Sequence, residues 1–134
     1  MILQIFTDGG SKGNPGPSSI GYIAYLDGKE FFKGREDIGN GINNEAEYAA
    51  VVRALEKVKE KKKELENVEK VELKSDSRLL VNQVNGLFKV KNGKIKENIF
   101  AIRALEQEIG IPITYINIPR EENQVADDLV NNIA

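Results

Sequence analysis

The sequence contains no cysteine and no histidine. Without cysteine there is neither a disulfide nor a thiolate metal site. Without histidine, Ser-His-Asp and Cys-His catalysis, imidazole-ligated zinc and an imidazole general base are all excluded. Acid–base chemistry then falls to carboxylates, lysine, tyrosine or metal-activated water. A large excess of one charge sign is missing too. The net charge of -2 argues against a general basic surface for nucleic acid. A polyanionic partner would have to be met by local contacts or by metal ions. No apolar run approaches the roughly 18 residues that a membrane span needs. The N-terminal MILQIFTDGG has no basic segment ahead of its apolar stretch, so a signal peptide is not expected. A soluble, cytoplasmic monomer with no membrane association and no obligate protein partner is the expectation.

The 134 residues, 40% of them hydrophobic, suffice for one domain over residues 1–134 with a real core. Hydrophobic periodicity predicts a strand at Ile2–Thr7, a loop DGGSKGNPGPSS, and a strand at Ile20–Leu26. Asp27-Gly28 is a strong hairpin signal, with a third strand beginning at Glu30–Lys33. A helix from about Glu45 past Glu60, with Asn43 or Asn44 as its cap, has an apolar stripe of Ala46, Ala50, Val51, Ala54, Leu55 and Val58. The charge-dense EKVKEKKKELENVEK reads as a solvated helix face plus a loop. A strand at Val68–Leu73 follows, then a short helix started by Ser75 or Asp76 and stopped by Gly86. The last predicted elements are a helix at Lys94–Ile109, a strand at Ile113–Ile118 and a helix at Asn123–Ile133. The order β-β-β-α-β-α-α-β-α suits a mixed five-stranded sheet flanked by helices.

Acidic residues at the ends of these elements are the candidates for chemistry. Asp8 closes the first strand on the face of Ile2 and Phe6; its ordinary role there would be to form a turn. Glu47 falls near the centre of the apolar stripe of its helix, whereas Glu45 points away. A carboxylate in that position is costly unless paired or metal-bound, although at a helix end it can also snorkel to solvent. Asp76 precedes Leu79 and Leu80 and is equally readable as a helix N-cap. Asp127 and Asp128 flank the stripe of Val125, Ala126, Leu129, Val130 and Ile133, and periodicity does not choose between them. Converging carboxylates are hard oxygen ligands for Mg²⁺ or Mn²⁺. Two such ions about 4 Å apart support phosphodiester hydrolysis without histidine. The glycine-rich GGSKGNPG is neither a P-loop nor a dinucleotide fingerprint. It reads as a flexible connection or as a place where backbone closely approaches a sugar-phosphate strand.

Four segments, in order and at matching spacing, resemble the type 1 ribonuclease H family: Thr7–Pro17, Asn43–Ala50, Ser75–Gly86 and Glu122–Leu129. The resemblance covers nearly the whole chain. It implies a ribonuclease H-like α/β fold with three antiparallel strands followed by two parallel ones. It also implies cleavage of the RNA strand of RNA–DNA hybrids with two divalent ions, Mg²⁺ or Mn²⁺ as a substitute, leaving 5′-phosphate and 3′-hydroxyl ends. Asp8, Glu47, Asp76 and Asp127 match the family's catalytic, metal-holding acids, Asp127 through the N-x-x-A-D pattern begun by Asn123. The hybrid contacts implied are Gly9, Gly10, Ser11, Lys12, Gly13 and Asn14, with Asn43, Asn44, Arg78 and Arg120. Reading 2′-hydroxyls in the minor groove distinguishes RNA from DNA.

The chain also departs from the pattern. A histidine found in many members before the last helix is absent; IPREEN, with Arg120, Glu121 and Glu122, stands there. Ile42 replaces a threonine, and Arg78 replaces a frequent glutamine. The basic protrusion of some members is reduced to Lys89, Lys91, Lys94 and Lys96. Competing expectations are a non-catalytic hybrid-binding module and a same-fold nuclease that also cuts double-stranded RNA. A phosphatase with a second aspartate two residues after the first is excluded, because Gly10 stands there.

Overall fold

Alternation in the first strand separates two faces of a sheet. Leu3, Ile5 and Thr7 are buried on one side, while Gln4, Phe6 and Asp8 lie half-buried on the other. In the computed structural model, which describes residues 1–132, this strand is β1 (Ile2–Ser11). It is followed by β2 (Gly16–Leu26), β3 (Lys29–Gly41), α1 (Asn43–Glu60), β4 (Lys70–Ser75), α2 (Arg78–Val84), α3 (Gly93–Ile109), β5 (Ile113–Asn117) and α4 (Gln124–Val130). The sheet order is β3-β2-β1-β4-β5. β2 runs antiparallel to β1 and β3, and β4 runs parallel to β1 and β5. This is the expected mixed sheet in the expected element order.

The main core lies between the sheet and the pair α1–α3. Leu3, Ile5, Leu73 and Val71 from the strands meet Val51, Leu55 and Val58 of α1 and Ile102, Leu105 and Ile109 of α3. The opposite face receives the short α4 through Ala126, Leu129 and Val130. That helix can sit close because Gly21 of β2 has no side chain: a Cβ there would lie 2.7 Å from Leu129 Cβ and 2.8 Å from the Ala126 carbonyl oxygen.

Several boundaries differ from expectation, each for a visible reason. The glycine-rich segment is mostly strand, because β1 and β2 stay paired out to Ser11 and Ser18. Only residues 12–15 turn, closed by the Lys12 N–H on the Pro17 carbonyl at 2.9 Å. Asp27 and Gly28 both have positive φ, as the two-residue hairpin requires. Neither Asn43 nor Asn44 caps α1. Ile42 holds the N-cap position without a side-chain bond, and Asn43 is drawn instead to the glycine turn. Asp76 does not cap α2; the Ser77 hydroxyl does, accepting the Leu80 N–H at 3.2 Å. Glu45 points away from the stripe, as its angle requires, but pairs with Lys94 of α3 at 3.2 Å. The last helix ends at Val130 rather than Ile133, which lies outside the described residues.

α1 lies directly on Gly9. A Cβ at that position would stand 2.4 Å from the Ala46 carbonyl carbon and oxygen and 2.6 Å from the Glu47 nitrogen. These are backbone atoms in a hydrogen-bonded helix, so they cannot step aside as a side-chain tip would. Gly9→Ala should therefore cost roughly 1–3 kcal/mol by overpacking. The expected observation is a lower denaturant midpoint with an unchanged slope; an unchanged midpoint would mean that α1 is free to shift.

Candidate active site

β1 and β4 run side by side until Thr7 faces Ser75, and there they part. β1 continues with β2 on its other edge, while the chain after Ser75 turns into α2. A crevice beyond the C-terminal ends of parallel strands, where neighbouring connections diverge, is the usual place for a ligand in an α/β sheet. Asp8 is the residue after Thr7, and Asp76 is the residue after Ser75, so the two carboxylates flank the split. Glu47 comes down from the first turns of α1, and carboxylate oxygens of Asp8, Glu47 and Asp76 all lie within 4.8 Å of one another.

Asp127 reaches the group from α4 and lies close enough to Asp8 to raise its pKa. Its Oδ1 also lies 3.6 Å from the Arg120 guanidinium and accepts from Asn131 Nδ2 at 3.4 Å. Asp128 instead accepts a bond from Gln124 on its own helix at 2.6 Å. Of the two acids that periodicity left open, Asp127 lines the cleft and Asp128 does not.

The cleft encloses about 440 Å³ and is lined by the four acids together with Gly9, Gly10, Ser11, Lys12, Ser19, Asn43, Arg120, Val130 and Asn131. Of the other expected contacts, Gly13, Asn14, Asn44 and Arg78 do not line it. Asn14 acts behind the turn. Its Oδ1 accepts the Asn43 N–H at 2.9 Å, while Asn43 Oδ1 accepts the Ser11 N–H at 2.7 Å. The asparagine pair therefore ties the glycine turn to the start of α1. Arg78 sits exposed at the start of α2.

Three residues that the sequence did not single out for the site hold it in place. Asn123 is buried and donates to the Thr7 carbonyl at 2.9 Å and to Asp76 Oδ2 at 3.4 Å. It thereby joins α4, β1 and the end of β4. Ser77 stands beside Glu47 and pulls its carboxyl downward. Ser19 lines the cleft from β2. Asn123 was visible in the quoted N-x-x-A-D pattern but only as a motif letter; the two serines carried no periodic signal.

The assembled acids strain one another. Burial, then the charge of Asp76 and the contact with Asp127, push Asp8 up to about 8, against a slight opposing pull from the Gly9 N–H. Burial raises Glu47 to about 7, partly offset by the nearby Ser77 side chain and reinforced by Asp76. Such a site favours either protons or a cation. The donor set is all carboxylate oxygen, which fits a hard divalent cation. The residues present therefore fit such an ion.

The sheet topology and the acids flanking its split define the ribonuclease H-like class of α/β proteins. The chain belongs to the RNase H family, whose model matches residues 2–134. It is 33% identical over 131 residues to ribonuclease HI of Halobacterium salinarum, an alignment covering 96% of this chain and 62% of that protein. It is 32% identical over 134 residues to the bifunctional protein Rv2228c of Mycobacterium tuberculosis, covering 98% of this chain and 35% of that one. The chain thus spans less than two thirds of the length of these curated relatives. Among solved structures it resembles LC11-RNase H1, isolated from compost by a metagenomic approach. In its complex with an RNA/DNA hybrid, that protein matches with a TM-score of 0.89 and 39% identity, over 97% of this chain and 94% of that one. No helix among the described residues is long and apolar enough to cross a membrane.

The raised acids make a prediction about the metal-free protein. Between the unfolded value of 3.8 and the folded value of about 8, Asp8 holds a proton in the folded state that it lacks in the unfolded one. Stability must then fall as pH rises through that window and level off above it. Glu47 adds the same sign between 4.5 and about 7. In EDTA, Tm should drop by several degrees from pH 5 to pH 9. Asp8→Asn should recover most of that loss at pH 9 and change little at pH 5. A flat profile would show that the acids are not held together in solution.

Proposed function

We propose that the chain is a ribonuclease H that hydrolyses phosphodiester bonds in the RNA strand of RNA–DNA hybrids, leaving 5′-phosphate and 3′-hydroxyl ends. The observation that carries this reading is the meeting of Asp8, Glu47 and Asp76 from three separate elements within 4.8 Å, with Asp127 beside them. Family membership and the hybrid bound by LC11-RNase H1 support the choice of substrate.

In this reading Asp8, Glu47, Asp76 and Asp127 hold divalent cations, Mg²⁺ or Mn²⁺ as a substitute. Two such ions, when bound, would supply the positive charge to activate water and stabilise the departing 3′-oxygen. The chain's own residues do the rest. β1 and α1 fix Asp8 and Glu47 on a rigid frame. Backbone at Gly10 and Ser11, on the wall of the cleft, lets a sugar-phosphate strand approach the acids. Asn43 lies on the same wall, where 2′-hydroxyls of the RNA strand would be read. Lys12 and the largely exposed Arg120 provide local positive charge on a chain whose net charge is -2. The local charge answers the absence of a general basic surface.

Incubation of end-labelled hybrid with Mg²⁺, with Mn²⁺ and with EDTA tests the proposal. The expected result is metal-dependent cutting of the RNA strand only, reduced to background in Asp8→Asn and Glu47→Gln. The rate should climb as pH rises through about 7 to about 8, because cations must displace protons from Glu47 and Asp8. Equal cutting of double-stranded RNA would widen the substrate class. Hybrid binding without cutting, under either metal, would overturn the proposal in favour of a binding module.

A further inference from the structure

Of the four acids, Asp127 stands on the least secure support. α4 has seven residues and no side-chain bond at its N-cap, and a helix that short has little stability of its own. What holds it must come from the sheet. At its N-terminal end the anchor is Asn123 on the Thr7 carbonyl. At its C-terminal end the Ser19 hydroxyl donates to the Val130 carbonyl oxygen at 2.8 Å, and the Arg35 guanidinium reaches the same oxygen at 3.5 Å.

The strand register explains why these residues meet there. Asp8 pairs with Gly21, and Gly21 pairs with Arg35. Gly10 pairs with Ser19, and Ser19 pairs with Asp37. The side chains of Asp8, Ser19, Arg35 and Asp37 therefore belong to the face that α4 covers. Arg35 is itself braced by Asp37 at 3.0 Å. A bulge in β3 opposite the Ser18–Ser19 step sets this local alignment. Cationic and hydroxyl donors at a helix C-terminus satisfy its last carbonyls and oppose its dipole.

We propose that Ser19, with Arg35 behind it, is a positioning residue of the active site: it clamps the C-terminal end of α4 and so sets the place of Asp127 beside Asp8. The clamp rests on the proposed reading of the acids as cation ligands only for its consequence in catalysis. Its structural half stands without that reading. Ser19 is not a catalytic residue here, since it acts through the helix.

The test compares Ser19→Ala, Ser19→Thr and Arg35→Gln with wild type. Amide hydrogen exchange on the metal-free proteins is the first readout. Loss of one hydrogen bond should speed exchange at the Asp127 and Asn131 amides by about three- to tenfold in Ser19→Ala. The α1 amides should be unmoved, and Ser19→Thr should keep the wild-type rate because it keeps the hydroxyl. Arg35→Gln should shift α4 in the same direction by less. The second readout is Mn²⁺ titration. Ser19→Ala should need several-fold more Mn²⁺ for half-saturation, and its kcat should fall at saturating hybrid with KM unchanged.

Unchanged exchange in α4 for both Ser19→Ala and Arg35→Gln would overturn the clamp. So would equal loosening of α1 and α4, or failure of Ser19→Thr to restore the wild-type rate. If the wild-type protein cuts no hybrid, the functional reading falls, while the exchange comparison still decides the clamp.

Discussion

Like charges are forced together where β1 and β4 part, and most of the fold's peculiarities follow from holding them there. Carboxylates this close repel one another, and burial deprives them of the water that would soften the repulsion. Burial above all, with the charge of Asp76 added to it, pushes Asp8 up to about 8 and Glu47 up to about 7. Four elements must be fixed against it. β1 and the end of β4 are fixed by pairing up to Thr7 and Ser75. α1 is fixed by the core and by its close seat on Gly9, and α4 by bonds at both of its ends.

Small residues set how closely the helices approach. Gly9 admits α1 on one face of the sheet and Gly21 admits α4 on the other. The two glycines lie on neighbouring strands, one register step apart, since Gly21 faces Asp8. Asp8 is therefore bracketed by both close contacts. Polar residues then lock the arrangement. Asn123 links three elements, Ser77 stands beside Glu47 while capping α2, and the Asn14–Asn43 pair secures the turn that forms one wall of the cleft.

The sequence showed its periodic features well. The strands and α-helices of the described residues, and their order, followed from hydrophobic spacing, and Glu47 was singled out because a carboxylate in the middle of an apolar stripe needs a reason. Asp27-Gly28 announced its hairpin through backbone chemistry alone. The misreadings share a cause. Glycine and proline composition marked residues 8–19 as loop, but ladder pairing with β2 overrode local propensity out to Ser11. Asn43 and Asp76 were plausible helix caps by residue type. Tertiary partners reassigned them: Asn43 to the glycine turn, and Asp76 to Asn123, with Ser77 taking the cap. The supporting residues Ser19 and Ser77 were invisible because single polar residues carry no periodicity. Their meaning lies in strand register and in contacts between residues far apart in the chain. Resemblance chose Asp127 over Asp128 where spacing did not, and Asp127 is the one of the two that lines the cleft.

In the proposed reading the fold holds its acids buried against one another until a divalent cation relieves them. The most direct measurement is calorimetric titration of the metal-free protein with Mn²⁺ in two buffers of different ionisation enthalpy, which counts the protons released on binding. With Asp8 near 8 and Glu47 near 7, binding at pH 6.5 should expel protons, and the release should fade as pH rises above about 8. Binding with no proton release at pH 6.5 would contradict the account, because it would mean that the acids were already ionised and apart.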